Sequence, residues 1–184
     1  SIGVLGDHGR GTASHFGLTD KTDLIMGTFS KSFGSLGGFI ASDNIVIDYL
    51  KHTSRSLIFS ASMAPANVAS VSKAIDIMLS EPERLQHLWD LTNYSAKQFK
   101  DRGFDTGHTE TPIIPLFVRD TEKTLYISNE LLKEGIFANP IVAPAVPNSD
   151  TMIRFSLMAT HTFEQVDEAI DKFTKVFKKF GIIS

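Results

Sequence analysis

Residues 27–38 read Gly27-Thr28-Phe29-Ser30-Lys31-Ser32-Phe33-Gly34-Ser35-Leu36-Gly37-Gly38. They continue from Asp23 to Thr28, a short apolar run that predicts a buried strand, so Lys31 is delivered to a strand's C-terminal end. Chemistry in open α/β sheets gathers at such ends. A lysine there, flanked by hydroxyls and followed by glycines, suits an anion-binding and Schiff-base site: Thr28 and Ser30 can hydrogen-bond a phosphate, and burial would favour the neutral amine. The rival reading is a solvated lysine in a polar turn, and the stretch alone leaves both open. Spacing removes two other motifs. A Walker A loop needs Gly where Ser30 and Ile25 stand, and a dinucleotide fingerprint begun at Gly9-Arg10-Gly11 meets Ser14 in place of its third glycine.

Upstream, residues 1–17 carry Gly3, Gly6, Gly9, Gly11 and Gly17, which predicts a tight loop rather than a regular element. The start is apolar and glycine-rich, with no Met, signal peptide or helix cap, so the chain is expected to be part of a longer one. Downstream, Phe39-Ile40-Ala41 predicts a second strand, Asn44 to His52 a helix capped by Ser42 or Asp43, and Leu57 to Phe59 a third strand. Pro65 opens a helix whose apolar positions Val68, Val71, Ile75 and Leu79 recur at helical spacing. From Glu83 a long amphipathic helix runs to about Arg102, stopped by Gly103. Beyond it the pattern predicts a strand at 113–118, a helix at 121–134 ended by Gly135, strands at 136–138 and 151–157, and a helix at 163–180 with a Thr162/Gln165 capping box. That segment reads as a small α+β layer, helices over one face of an antiparallel or mixed sheet.

Eighteen Lys plus Arg against 21 Asp plus Glu give a formal charge of −3 without a basic arm, which argues against a nucleic-acid partner. No apolar run reaches membrane-spanning length, so no transmembrane segment is expected. The absence of cysteine removes disulfides and thiolate chemistry and fits a reducing, cytoplasmic setting. The six histidines, at 8, 15, 52, 87, 108 and 161, show no metal-ligand spacing, and none is read as a ligand; His161 is assigned a structural place beside the Thr162 cap.

Four stretches, 3–17 (GVLGDHGRGTASHFG), 27–41 (GTFSKSFGSLGGFIA), 58–65 (IFSASMAP) and 150–162 (DTMIRFSLMATHT), stand in the order and spacing of one family. On them the chain resembles the α-oxoamine synthases, which are fold-type I pyridoxal-phosphate enzymes. The resemblance covers essentially the whole chain. It implies an α/β fold corresponding to the C-terminal half of such a transferase: residues 1–82 as the C-terminal portion of the large pyridoxal-phosphate domain, and residues 83–184 as the small α+β domain with its linking helix. By position, Lys31 matches the lysine that holds the cofactor as a Schiff base and later moves protons. Thr28 and Ser30 match hydroxyls on the cofactor phosphate. Ser60 matches a hydroxyl that reaches the phosphate of the neighbouring subunit, although a plain helix-side serine is nearly as good a reading of the residue itself. Arg154 matches the arginine that grips the amino-acid carboxylate, a role its planar fork suits.

The resemblance further implies condensation of an amino acid, serine or glycine, with an acyl-CoA in a homodimer with shared active sites. Residues 142–147 and 155–162 look most similar to serine palmitoyltransferase-like members, with glycine C-acetyltransferase and 8-amino-7-oxononanoate synthase as alternatives. Val142 and Ala143 stand where several relatives carry Arg-Pro. The family's cofactor-binding Asp-x-x-His would end just before Ser1, so the 184 residues by themselves are expected to be inactive. A reading of another class, a non-catalytic dimerisation module, also stays open.

Overall fold

The computed structural model describes residues 1–184, which fall into two compact units, Ser1–Leu85 and Gln86–Ser184. In chain order the elements are α1 (Thr12–His15), β1 (Leu24–Thr28), β2 (Gly38–Ser42), α2 (Asn44–Thr53), α3 (Arg55–Ile58), α4 (Pro65–Ser80), α5 (Glu83–Asp101), β3 (Ile113–Phe117), α6 (Thr121–Lys133), β4 (Asn139–Ile141), β5 (Met152–Ser156) and α7 (Phe163–Lys179).

In the first unit β1 and β2 form an antiparallel pair running from Leu24↔Ser42 to Thr28↔Gly38, so the sequence between them returns on itself as one long loop. The expected strand is present, but it is not buried: Leu24 and Met26 are exposed, Met26 at 68%. Burial depends on covering layers that a strand's own residues do not encode. Residues 57–59 form no strand; the amides of Leu57 and Ile58 donate to the carbonyl of Ser54, and that of Phe59 to Arg55. Once a helical turn has taken those amides, none is left for a sheet ladder. Asp43 does sit at the N-cap of α2 but makes no capping bond, and the Ser42 hydroxyl donates instead to the carbonyl of Asp23, tying the outer end of the strand pair.

The second unit is a three-stranded antiparallel sheet in the order β3-β5-β4. Its core joins Ile114 and Leu116 of β3 and Ile153 and Phe155 of β5 to the inner faces of three helices: Leu91 and Phe99 of α5, Ile127 and Leu131 of α6, and Ile170, Phe173 and Phe177 of α7. Phe99 meets Phe104, Phe155 and Phe173 edge-on, with ring centroids 4.9, 5.0 and 5.8 Å away, a geometry that adds to the burial of the rings.

Backbone geometry closes each long helix of this unit in the same manner. After α5, Gly103 takes φ 83° and Phe104 N–H reaches back to Phe99 O at 3.0 Å; after α6, Gly135 takes φ 84° and Ile136 N–H reaches Leu131 O at 2.8 Å. These are Schellman closures, with Phe104 on Phe99 and Ile136 against the core as their apolar contacts. The closure also explains why residues 136–138 are not the expected strand: Ile136 has already given its amide to the helix, and β4 starts later, at Asn139. The start of α7 carries the expected capping box of Thr162 and Gln165.

Glu130 on α6 accepts from Lys133 and from Lys179 of α7, and these bonds hold its carboxyl at about 2, against an ordinary 4.5. A depressed carboxyl stabilises the fold fully above its unfolded value and loses that contribution as pH falls through its folded one. Glu130→Gln should therefore lower the thermal midpoint at pH 7, and the difference from the parent should shrink as pH falls from 4.5 and be lost as it passes through about 2. A difference as large at pH 2 as at pH 7 would contradict the assignment.

Candidate functional site

Glycine chemistry at the base of the loop between β1 and β2 decides its shape. A Cβ on Gly27 would lie 2.3 Å from the Phe39 ring and 2.6 Å from Ile2 Cδ1, so only glycine lets Phe39 lie flat across β1. Phe39 then stacks on Phe29 with centroids 5.7 Å apart and planes at 26°, and Phe33 meets Phe29 edge-on at 5.7 Å. Phe29 is thereby buried. Its amide donates to Gly37 O and its carbonyl accepts from Ser35 N–H, both at 2.9 Å, which pins the loop across its neck. The Ser35 hydroxyl donates to Asn67 O at 3.3 Å and accepts from Asn67 Nδ2 at 3.2 Å, docking the loop on α4, while the Ser32 hydroxyl donates to Ile2 O.

Three of the expected residues come together on this loop. The hydroxyls of Thr28 and Ser30 are 2.9 Å apart, and Ser30 N–H donates to Thr28 Oγ1 at 3.3 Å, so a pair of hydroxyls and an amide share one spot. Lys31 follows directly and is exposed, so the burial expected around its amine is not supplied by these residues. Ser60 is exposed between α3 and α4 and makes no bond to the Thr28–Ser30 pair. The anchors Ser32, Ser35 and Asn67 escaped sequence reading, since nothing local marks a serine as a tether.

Arg154 lies in the second unit on the central strand β5, register partner of Asn139 in β4 and Pro115 in β3. Pairing of β4 with β5 stops at Asn139↔Arg154, so residues 135–138 run apart from Phe155 and Ser156. The gap is a cleft of about 470 Å³ lined by both segments, by α7 and by His161. Arg154 faces it with its Nε buried and without a hydrogen-bond partner. A buried guanidinium donor left unpaired is costly unless an anion completes it. The other cation of the cleft, Lys172, is already paired with Glu168. His161, assigned a structural place from sequence, lines the same cleft.

A profile of aminotransferase class I and II matches residues 1–173. The chain belongs to this family. Among its relatives is a serine palmitoyltransferase of Sphingobacterium spiritivorum, 61% identical over all 184 residues, which cover 46% of that protein. An 8-amino-7-oxononanoate synthase of Thermosipho melanesiensis is 46% identical over 98% of the chain and 46% of its own length. In structure the chain is similar to a serine palmitoyltransferase of Sphingomonas wittichii, with a TM-score of 0.92 and 31% identity, covering all of this chain and 46% of that one. It is equally similar to a structure described as SPT with a PLP internal aldimine, at a TM-score of 0.93 and 30% identity over the same shares of the two chains. The α/β fold read from the sequence is thus that of a fold-type I pyridoxal-phosphate enzyme, and the chain spans about half the length of the relatives it matches.

Gly27→Ala should destabilise the first unit by about 1–3 kcal/mol, the range for forcing a methyl into a packed contact. Urea denaturation of the full-length protein reads this directly, and Phe39→Leu in the same background should return part of the loss. An unchanged midpoint would show that the Phe39 ring does not hold the loop.

Proposed function

We propose that this chain supplies the lysine-bearing and carboxylate-gripping parts of a pyridoxal-phosphate enzyme that condenses an amino acid with an acyl-CoA, in the manner of a serine palmitoyltransferase. The observation that carries the reading is the 61% identity to a protein of that name across the whole chain, with the 46% identical 8-amino-7-oxononanoate synthase supporting the same reaction class on other substrates. In this reading residues 1–82 are the C-terminal portion of the large domain and residues 83–184 the small domain.

The loop residues fit the cofactor by their chemistry. Two hydroxyls 2.9 Å apart with an adjacent amide suit a phosphate, and a primary amine on the next residue suits an aldehyde. Bound there, pyridoxal phosphate supplies an electron-withdrawing ring that makes the amino acid's α-proton acidic. Thr28 and Ser30 hold the phosphate. Lys31 Nζ would anchor the cofactor through its amine, and the same amine stands next to the phosphate hydroxyls in sequence, where it would take the α-proton. Arg154 fixes the amino-acid carboxylate with two donors, which sets the orientation of the α-carbon bonds.

The reading includes a homodimer with Ser60 serving the neighbouring subunit. Phe59, beside it, is 79% exposed, an apolar side chain of the kind a subunit contact covers. Sedimentation of the full-length protein as a monomer would remove this part. A cytoplasmic setting is supported by the absence of cysteine, and no helix is long and apolar enough to cross a membrane.

The substrate panel is the test. Full-length protein supplied with pyridoxal phosphate should release free CoA from palmitoyl-CoA in the presence of L-serine. Turnover only with glycine and acetyl-CoA would move the assignment to glycine C-acetyltransferase, and no turnover with either amino acid on either thioester would refute both the serine- and the glycine-using readings.

A further inference from the structure

The turn between β5 and α7 is held by more bonds than a helix cap requires, and nearly all of them converge on His161. Its amide donates to Met158 O at 3.1 Å, its carbonyl accepts from His87 Nε2 at 2.9 Å, and its ring Nδ1 accepts from Met158 N–H at 3.2 Å. His87 is itself braced edge-on against Phe163, with centroids 5.8 Å apart. An Nδ1 that accepts a backbone N–H carries a lone pair, so the neutral ring has its one proton on Nε2. The structure therefore fixes the ring's place, its rotation and its tautomer together. None of these bonds uses Nε2 of His161, and His161 lines the cleft that Arg154 also lines. The cleft is thus lined by the buried, unpaired Nε of Arg154 and by a histidine whose Nδ1 is engaged in the turn, which leaves Nε2 as its donor. Its one carboxylate, Glu168, is bound to Lys172.

We infer that His161 is a second substrate-binding residue of the Arg154 cleft, giving its Nε2–H to the amino-acid carboxylate that the guanidinium holds. The inference rests on the reading of Arg154 as the carboxylate arginine. A carboxylate has two oxygens with several acceptor directions, and a guanidinium on one side leaves acceptor capacity for a donor from another. An imidazole pinned through its other nitrogen is pre-organised for that bond, so little rotational freedom is lost when the substrate arrives. If His161 only locked the turn, its Nδ1 bond would suffice and Nε2 would be idle.

Two variants of the full-length, cofactor-loaded enzyme separate these roles. Asparagine places its amide oxygen near the position of Nδ1 and can keep the bond to Met158 N–H, but it does not reach the position of Nε2. Glutamine extends an amide N–H to the position of Nε2 and gives up the bond to Met158. L-serine is titrated at equilibrium against the cofactor's absorbance, and the thermal midpoint is recorded for each protein. The expected result is that His161→Asn keeps its midpoint and binds L-serine about tenfold or more weakly, the scale of one hydrogen bond to a charged group, whereas His161→Gln keeps most of the affinity and loses thermal stability. The reverse pattern, equal losses in both variants, or full affinity in both would overturn the inference. Arg154→Ala is titrated alongside: unchanged affinity there would show that the reading of Arg154 has failed, while a loss there with full affinity in His161→Asn would sink the role of His161 alone.

Discussion

The missing side chain at Gly27 is the constraint on which the first unit depends. Because no Cβ stands there, Phe39 lies across β1 and stacks on Phe29, and Phe29 can be buried by an otherwise polar loop. Burial of that one ring fixes its amide and carbonyl, which close the neck of the loop through Gly37 and Ser35. Only then do Thr28 and Ser30 come within 2.9 Å of each other, with Lys31 next in line. The chemistry assigned to the loop is thus held by an apolar stack beneath it, and the polar residues that would meet a ligand carry little of the structural burden themselves. Sites of this kind are precise because their supporting contacts are tight.

In the second unit precision comes from helix ends. The Schellman closures after α5 and α6 bring Phe104 and Ile136 back onto the core, which settles how the chain leaves each helix. Ile136 is turned toward α6 by that closure, so residues 135–138 leave the edge of β5 and open the cleft that Arg154 faces. The cleft is the by-product of a helix C-cap, and the same geometry leaves a buried guanidinium nitrogen without an acceptor.

The parts of this architecture legible in the sequence are those whose cause is local. The long helices follow from a 3.6-residue pattern, with Pro65 opening α4, Gly103 and Gly135 closing α5 and α6, and Thr162 with Gln165 opening α7. Strand β3 followed from the apolar run at 113–118, and β1 and β5 from apolar residues beside Gly27 and around Arg154. Three apolar residues carry no period, so residues 57–59 and 136–138 could not be told from Phe39-Ile40-Ala41, which does form a strand. Their fate was decided by which neighbour took their amides first, Ser54 and Arg55 in one case and Leu131 in the other. The exposure of Met26 and of Lys31 was not legible either, since cover is a property of layers and not of the residue covered. For the candidate site, Thr28, Ser30 and Lys31 stood together in the sequence and stand together in the fold. The place of His161 in the Arg154 cleft depends on contacts with a helix 74 residues away in the chain, and no motif records that.

Lys31 as the cofactor's anchor is the claim from which the functional reading follows. Its most direct measurement is borohydride reduction of the full-length protein after incubation with pyridoxal phosphate, followed by mass mapping of its peptides. The expected result is a single reduced cofactor adduct on the peptide that carries Lys31, absent from Lys31→Ala. An adduct on any other lysine with Lys31 unmodified would contradict the assignment and, with it, the role given to the loop that Gly27 makes possible.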